Sequence, residues 1–408
     1  MLLAELLYRP QLRPPPSTTV KFQKSRTMSE SHEFVVGTFN TPQLYTISFI
    51  PPSTLKIIAR HHAVGSHSWL HLQPDKKHLY ATAWTEPPTI VAYAVESPTE
   101  IRMLGSAKCA SRSGYVCASE KAVYSAGGAT GEAYAIDPTT GGFVATAEGK
   151  DAEPLQKLDF VDACGQRDSG GVMDFGGLRH GAHSADLSPD GKALYVADIG
   201  RNCIWTYAVD QETGKLTLGE KHISPRSHDG PRHVWPHPSG QYVYSLQEHS
   251  SMVDVFETAE NGTKLKHVQG VRIIPEGEDE KQYWADEVRT SFSNGDKPKY
   301  LYASTRGLKE ERKGFVAVFK LDEQGRIDDG GKPGQEQDAL LDMWTTPTSG
   351  GWANAVQPGP TVDGVEYLAL TDSESGMVMV LGWDGKRIDE VARVRLDEGA
   401  GAATVVWL

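Results

Sequence analysis

The stretch that decides the fold is RHGAHSADLSPDGKALYVADIGRNCIWTYAVD, residues 179–210. Three segments in it, SADLS, ALYVAD and CIWTYAV, have the alternating, β-branched and aromatic character of strands. The segments between them, SPDGK and GRN, carry Pro, Asp, Gly and Asn in turn positions. The stretch therefore predicts three consecutive strands joined by two turns, with His183 standing where the first strand begins.

The same pattern recurs along the chain. The repeating unit is a strand, a turn with Pro or Gly, a strand that ends near a Tyr, a second turn and a third strand. It occurs six times, and the six copies begin with SWLHLQPDKKHLYATAW, SGYVCASEKAVYSAGG, the opening stretch, RHVWPHPSGQYVYSLQEH, EVRTSFSNGDKPKYLYASTRG and NAVQPGPTVDGVEYLALTD. A partial unit, FVVGTFNTPQLYTISF, lies near the start, and the chain ends on the strand-like ATVVWL. Pairing the last strand with the partial unit would close a ring and remove open sheet edges. The sequence predicts an all-β, seven-bladed β-propeller of four-stranded antiparallel blades.

We expect one propeller domain over residues 29–408, because no long amphipathic helical pattern interrupts the units. Residues 1–28 differ in composition: they are Pro-rich and basic, and Glu5 is their only acid. We expect them to be a disordered extension or an over-long start, with Met28 as an alternative beginning.

Composition excludes several classes of partner. The chain has 408 residues and a formal net charge of −12, which argues against nucleic acid. No apolar run approaches the roughly 20 residues that span a bilayer. The sequence has no secretory signal, so we expect a cytoplasmic protein. Its cysteines lack CxxC spacing and are expected to be free thiols without zinc: Cys109, Cys117, Cys164 and Cys203.

The repeat places candidate functional residues on one rim. In a propeller blade, the start of the first strand and the end of the second lie at the same face. One slot, six residues before the turn proline, holds Ser68, His183, Arg232 and Trp352. A second slot, four residues after the recurring second-strand tyrosine, holds Trp84, Gly128, Ile199, Glu248, Arg306 and Thr371.

His183, Arg232, Glu248 and Arg306 thus share a rim and come from three consecutive units. Two guanidinium groups suit carboxylates, which they bind bidentately, and an imidazole moves protons near neutral pH. The rim predicts a site for a polyanionic small molecule. The structural alternative is that each residue only forms an ordinary ion pair or core hydrogen bond, and that Glu248 only neutralises Arg232 in its own unit.

Other candidates are weaker. His61, His62 and His67 lie without clustered carboxylates, so a metal site is not expected there. SGGWANAV has no nucleophile elbow, although Trp352 and Asn354 in it could line the channel or form only a Gly-rich blade junction. The long loop before His183 is a candidate lid, and its Arg179 and His180 are candidate substrate contacts.

From about His32 to the C-terminus the chain resembles the fungal 3-carboxy-cis,cis-muconate cyclases, also called carboxymuconate lactonizing enzymes. The similar segments include FVVGTFNTP, GAHSADLSPDGKALYVADI, HDGPRHVWPHPSGQYVYSLQE, YASTRG and PTSGGWANAV. The resemblance implies a seven-bladed propeller and an active-site set of one His, two Arg and one Glu, which fall on His183, Arg232, Arg306 and Glu248. The chain departs from the family pattern at His233, His249 and the Gly-rich loop before His183.

The resemblance further implies a cycloisomerase of aromatic catabolism in the β-ketoadipate pathway. It would interconvert an open-chain tricarboxylate, 3-carboxy-cis,cis-muconate, and its γ-lactone without metal or other cofactor. The resemblance also suggests that the protein forms a homo-oligomer. Arg232 and Arg306 would bind carboxylates, His183 would donate the proton, and Glu248 would orient His183 or an arginine or move the proton itself. The alternatives are a lactonase acting on a sugar or 6-phosphogluconolactone-like lactone, and a binding scaffold with an apolar rim.

Overall fold

The computed structural model describes residues 30–145, 152–160, 181–292 and 297–408. These residues form seven sheets, each of four antiparallel strands. The predicted seven-bladed propeller is confirmed. Residues 1–28 lie outside the described residues, as do most of the loop before His183, Cys164, Arg179 and His180.

The first blades follow the chain in order. The partial unit near the start gives β1 His32–Thr38, β2 Gln43–Ile50 and β3 Thr54–His62. The next blade contains β4 Leu70–Leu72, β5 His78–Ala83, β6 Thr89–Ser97 and β7 Glu100–Lys108. The third contains β8 Tyr115–Ala118, β9 Ala122–Gly127, β10 Thr130–Ala135 and β11 Gln156–Asp159.

The opening stretch of the sequence becomes the fourth blade, with β12 Ala182–Leu187, β13 Ala193–Asp198, β14 Cys203–Val209 and β15 Leu216–Ile223. The fifth has β16 Pro231–Pro236, β17 Tyr242–Gln247, β18 Met252–Ala259 and β19 Lys264–Arg272. The sixth has β20 Tyr283–Thr290, β21 Tyr300–Gly307, β22 Phe315–Lys320 and β23 Leu340–Thr345. The seventh has β24 Val356–Val362, β25 Val365–Asp372, β26 Met377–Trp383 and β27 Ile388–Arg395.

The ring closes as the repeat pattern predicts. The last strand, β28 Ala402–Trp407, pairs antiparallel with β1 and becomes the inner strand of the first blade. Val406 lies opposite Val35, and Phe34 packs edge-on against Trp407 at 4.6 Å between ring centroids. Closure satisfies the backbone groups that an open sheet edge would expose.

The recurring tyrosine of the second strand has a structural role. Tyr80, on β5, donates a hydrogen bond to the Gly141 carbonyl at 2.9 Å, and Tyr124, on β9, donates to Gly214 at 2.9 Å. In each case the ring is buried and its hydroxyl reaches the outer turn of the next blade. Each such tyrosine therefore fixes one blade against its neighbour, which explains why it repeats in the sequence.

Helix is confined to two 3-10 turns, Glu280–Gln282 and Glu336–Ala339, in the part of the chain that the structure describes. No helix in that part is long and apolar enough to cross a membrane. The inner strands of the blades surround a central channel.

Candidate active site

A cavity of about 110 Å³ opens at one end of the channel. His183, Arg232, Glu248 and Arg306 all line it, as do Ser68, Trp84 and Trp352 from the two rim slots. The structure therefore brings together the four residues selected from the sequence. Gly128 and Thr371, from the same slots, instead make contacts between strands.

Three neighbouring inner strands carry a β-bulge at the same position. In β12, β16 and β20 the register skips one residue, and the skipped residues are His183, Arg232 and Asp286. A bulge frees one side chain from the alternation of the strand and can aim it at a site. All three side chains line the cavity.

Arg232 is paired with Glu248 inside its own blade. Its Nε atom lies 2.9 Å from Oε2 of Glu248, and the two residues are 7% and 2% exposed. Its Nη1 atom donates to the Asp286 carbonyl and to Nε2 of His233, the latter at 3.0 Å. Glu248 is thus placed to orient Arg232, one of the roles that the sequence left open for it.

Asp286 lies between the two arginines of the site. Its Oδ1 atom is 3.5 Å from Nη2 of Arg232 and 3.2 Å from Nε of Arg306. Arg306 also donates to the Gly351 carbonyl at 2.8 Å and lies over the Trp284 ring at 4.9 Å. Burial raises the pKa of the Asp286 carboxyl above 3.8, and Arg306 and Arg232 oppose the rise.

Sequence reasoning missed Asp286 for an identifiable reason. The first rim slot was located from the turn proline, and the sixth blade has Phe292 where the fourth and fifth blades have Pro189 and Pro238. Counting six residues back from Phe292 gives Asp286. The six-residue spacing is therefore kept in this blade, but the proline that marks it elsewhere is absent.

His183 faces the cavity as a neutral imidazole. Its ring is partly exposed, and its Nδ1 atom is buried without a hydrogen-bond partner among the described residues. Burial, together with Arg232, His233 and Arg306, holds the pKa of His183 well below 6.5. A bound polyanion would oppose the field of the arginines and raise that pKa.

The opposite half of the cavity is aromatic. Phe39, Trp84 and Trp352 come from the first, second and seventh blades, and their ring centroids lie 5.6 to 6.4 Å apart. Trp352 lines the cavity and is 57% exposed. The cavity thus offers charged groups on one side and flat apolar surface on the other, an arrangement that suits a planar carboxylate. The rim therefore combines these two kinds of surface.

A second buried layer lies below the rim, and sequence reasoning did not find it. His233 donates from Nδ1 to Glu287 at 2.8 Å, and Glu287 pairs with Arg289 at 2.8 Å. The Arg289 guanidinium lies over the Trp235 ring at 4.3 Å. Burial lowers the pKa of His233 well below 6.5 and raises that of Glu287 to about 7. This layer packs behind Arg232 and supports it.

The other candidate residues make contacts that are typical of side chains with a structural role. The His67 ring donates to the Thr82 carbonyl and accepts from the Tyr93 hydroxyl, both at 2.6 Å, and burial lowers its pKa to about 4. His61 lies 2.9 Å from the Thr46 hydroxyl. Asn354 is buried behind the cavity wall. Among the described residues there is no group of three or more His, Cys, Asp or Glu side chains that could hold a metal ion.

The described cysteines are buried and unlinked: Cys109, Cys117 and Cys203. For these three, the expectation of free thiols agrees with the structure. Cys164 lies outside the described residues.

Known proteins are similar to this chain in sequence and in fold. The chain is 42% identical over 388 residues to muconate cycloisomerase 1 of Cutaneotrichosporon cutaneum, covering 93% of this chain and 98% of that protein. It is 27% identical over 408 residues to carboxy-cis,cis-muconate cyclase of Neurospora crassa, covering 92% and 99% of the two chains. These relatives confirm the resemblance to the fungal cyclases.

The fold has a counterpart of low sequence identity in the periplasmic gluconolactonase of Pseudomonas aeruginosa. The TM-score is 0.71 at 15% identity, covering 93% of this chain and 99% of that one. The model of the family described as "Lactonase, 7-bladed beta-propeller" matches residues 33–331. The chain therefore belongs to the seven-bladed β-propeller lactonase family.

Proposed function

We propose that this protein is a cycloisomerase that interconverts 3-carboxy-cis,cis-muconate and its γ-lactone at the cavity lined by His183, Arg232, Glu248 and Arg306. The observation that carries the proposal is the meeting of these four side chains in one cavity opposite an aromatic wall. Relatives that align over almost their full length with this chain are named as a muconate cycloisomerase and a carboxymuconate cyclase.

The proposed reaction begins with carboxylate binding. Arg232 and Arg306 bind carboxylates of the substrate, and the aromatic wall packs on the planar diene. Holding the chain in a curled geometry brings one carboxylate oxygen close to the double bond that it attacks, which removes much of the entropic cost of ring closure.

Ring closure forms one C–O bond and moves the electrons of the attacked double bond toward a neighbouring carboxylate. The negative charge that develops there is stabilised by the guanidinium groups, which are already oriented and shielded from water. The carbon next to the new C–O bond then takes up one proton. The trianionic substrate becomes a dianionic lactone, so each turnover consumes one proton from solvent.

His183 is the proposed proton donor, and the neutral ring is the base in the reverse direction. The free site keeps His183 neutral because burial and the two arginines lower its pKa. The arriving tricarboxylate neutralises that field, so the ring gains its proton when substrate binds. Glu248 acts through Arg232, which it contacts at 2.9 Å.

The second candidate function is hydrolysis of a sugar lactone or phosphosugar lactone at the same cavity. The description of the family as lactonases favours it. The aromatic half of the cavity favours the cycloisomerase, because a conjugated diene is flat whereas a gluconolactone bears hydroxyl groups around its ring. Cytoplasmic location and assembly into a homo-oligomer are further proposals that rest on the sequence and the family resemblance.

A direct comparison of substrates tests the proposal. Purified protein is mixed with 3-carboxy-cis,cis-muconate, and loss of the diene absorption in the ultraviolet is followed; 6-phosphogluconolactone is then offered in a separate reaction. We expect loss of the diene and no acceleration of lactone hydrolysis. Hydrolysis of the phosphogluconolactone with an unchanged muconate spectrum would replace the cycloisomerase by the lactonase.

A further inference from the structure

We propose that Asp286 is a positioning residue that holds the guanidinium groups of Arg232 and Arg306 in the orientation that stabilises the charge developing during ring closure. The inference rests on the proposed function and extends it to a residue that the resemblance to the cyclases does not include. Its basis is the contact of one carboxylate with both arginines inside the cavity wall.

One oxygen of Asp286 serves both cations. Oδ1 lies 3.5 Å from Arg232 and 3.2 Å from Arg306, which belong to the fifth and sixth blades. Two guanidinium groups near one another repel, and a shared carboxylate between them offsets that repulsion. Because the two arginines come from different blades, this carboxylate couples their positions across the blade interface.

The other oxygen fixes Asp286 to the scaffold. Oδ2 accepts a hydrogen bond from the backbone N–H of Asn354 at 2.9 Å. The Asn354 side chain donates to the Thr305 carbonyl at 3.0 Å, and the Asn354 backbone carbonyl accepts from the Ser304 hydroxyl at 2.5 Å. Asp286 is 1% exposed. Its carboxylate is therefore held by the backbone N–H of Asn354, which leads into the seventh blade and is itself bonded to the sixth. A supporting residue of this kind keeps long side chains in one geometry.

This arrangement has a distinctive kinetic consequence. In the empty site, Asp286 adds a negative charge beside the place where substrate carboxylates bind, so it weakens ground-state binding. Its benefit is the orientation of the arginines in the transition state. Loss of the charge should therefore lower kcat without raising KM, whereas a residue needed only for folding would lower the amount of active protein and leave both constants of the active fraction unchanged.

The test compares Asp286→Asn with Asp186→Asn. Asp186 is a matched control because it is also a buried acidic residue on the first strand of its blade, β12. It differs in its surroundings: it accepts from the Tyr115 hydroxyl at 2.8 Å and lines the cavity at the other end of the channel. Thermal unfolding of both variants shows whether each is folded. Steady-state kinetics with the muconate and calorimetric titration with propane-1,2,3-tricarboxylate are then measured.

For Asp286→Asn we expect kcat to fall by a factor on the order of 10², the loss typical of misplaced catalytic groups, with KM unchanged or lower. The dissociation constant for the tricarboxylate should also be unchanged or lower, and Asp186→Asn should resemble the wild type in all three constants. An unchanged kcat in folded Asp286→Asn, or KM and the dissociation constant rising with the loss of kcat, would overturn the proposal.

The wild-type and variant measurements together separate this inference from the proposed function. If the wild type converts the muconate and folded Asp286→Asn does so with an unchanged kcat, the inference fails and the proposed function stands. If the wild type binds the tricarboxylate but does not convert the muconate, the proposed function fails, and the role of Asp286 in ring closure fails with it. A wild type that neither converts the muconate nor binds the tricarboxylate would overturn both.

Discussion

The Nε atom of Arg232 lies 2.9 Å from the Oε2 atom of Glu248. The arginine is the bulged residue of β16, and the glutamate directly follows β17, so adjacent strands of one blade present the two groups to the cavity. The contact gives Glu248 a partner whose guanidinium group it is placed to orient, and in the proposed mechanism His183 is the group that moves a proton.

Glu248→Gln tests that division of roles. The amide retains an oxygen that can accept from Arg232 but loses the charge, so we expect kcat to fall by roughly 10-fold, the loss of a charge-assisted bond of about 1.5 kcal/mol. The pH dependence of the remaining activity should keep the shape of the wild type. If the titration assigned to His183 disappeared from the pH profile of Glu248→Gln, the glutamate would instead take part in proton transfer.

His183→Gln removes the proposed proton donor and keeps much of the side-chain volume. We expect kcat for cyclisation to fall by about 10²- to 10⁴-fold, the usual contribution of a positioned acid. Calorimetric affinity for propane-1,2,3-tricarboxylate should change little, because the arginines remain. Turnover near the wild-type value in this variant would remove His183 from the mechanism.

The pH dependence follows from the sign of the His183 pKa shift. Burial and the neighbouring cations lower the pKa below 6.5, so the protonated form required for cyclisation declines as pH rises above that lowered value. We expect kcat/KM for cyclisation to fall with rising pH through neutrality, and kcat to fall only at higher pH, where the substrate-bound ring titrates.

Lactone opening provides the matched control for that profile. It needs the neutral ring, which the free site already holds, so kcat/KM for opening should be flat through neutrality and fall only in acid. Because cyclisation consumes one proton, the two profiles must differ by one unit of slope whatever group donates it, so the informative feature is the break in acid that both directions share. That break should disappear in His183→Gln, and its persistence in this variant would contradict the assignment.

The backbone at Gly181, two residues before His183, packs closely against the neighbouring blade, and a substitution there tests the contribution of this contact to stability. A Cβ atom at residue 181 would lie 1.9 Å from the Gly128 carbonyl oxygen, and Gly128 and Ala182 exchange two backbone hydrogen bonds of 2.8 Å at this blade junction. Gly181→Ala should destabilise the fold by about 1–3 kcal/mol, the cost of overpacking a tight contact. Chemical denaturation measures it, with Gly240→Ala as a control, because Gly240 has open space around it, although its φ is positive and that of Gly181 is not.

If Gly240→Ala loses as much stability as Gly181→Ala, steric contact at the blade junction does not explain the loss. The control carries its own small cost, since φ at Gly240 is +71° and alanine is strained there. A larger loss at residue 181 is therefore the expected order.

The repeat predicted most of this architecture because its period is carried by residues with fixed structural jobs. The segments ALYVAD and CIWTYAV coincide with β13 and β14 in full, and the recurring tyrosines make contacts between blades. The same period located the rim slots, since equivalent positions in successive blades point to the same channel end. His183, Arg232, Glu248 and Arg306 could therefore be brought together without coordinates.

What the repeat did not predict lies mainly at the sixth blade and beneath the rim. Asp286 was hidden because its blade lacks the turn proline, and Glu287, the partner of His233, directly follows Asp286 and was hidden with it. The deeper layer lies below the rim, so the two rim slots could not indicate it. The aromatic half arises where the first, second and seventh blades converge, so it also required the closed ring.

Cyclisation in D₂O tests the central claim most directly. The product lactone is examined by NMR for deuterium at the carbon next to the newly oxygenated one. We expect one deuterium per molecule in a single configuration, because His183 delivers a solvent-derived proton from one face of the bound substrate. Failure to form lactone, or deuterium in both configurations, would contradict protein-directed proton delivery at this cavity.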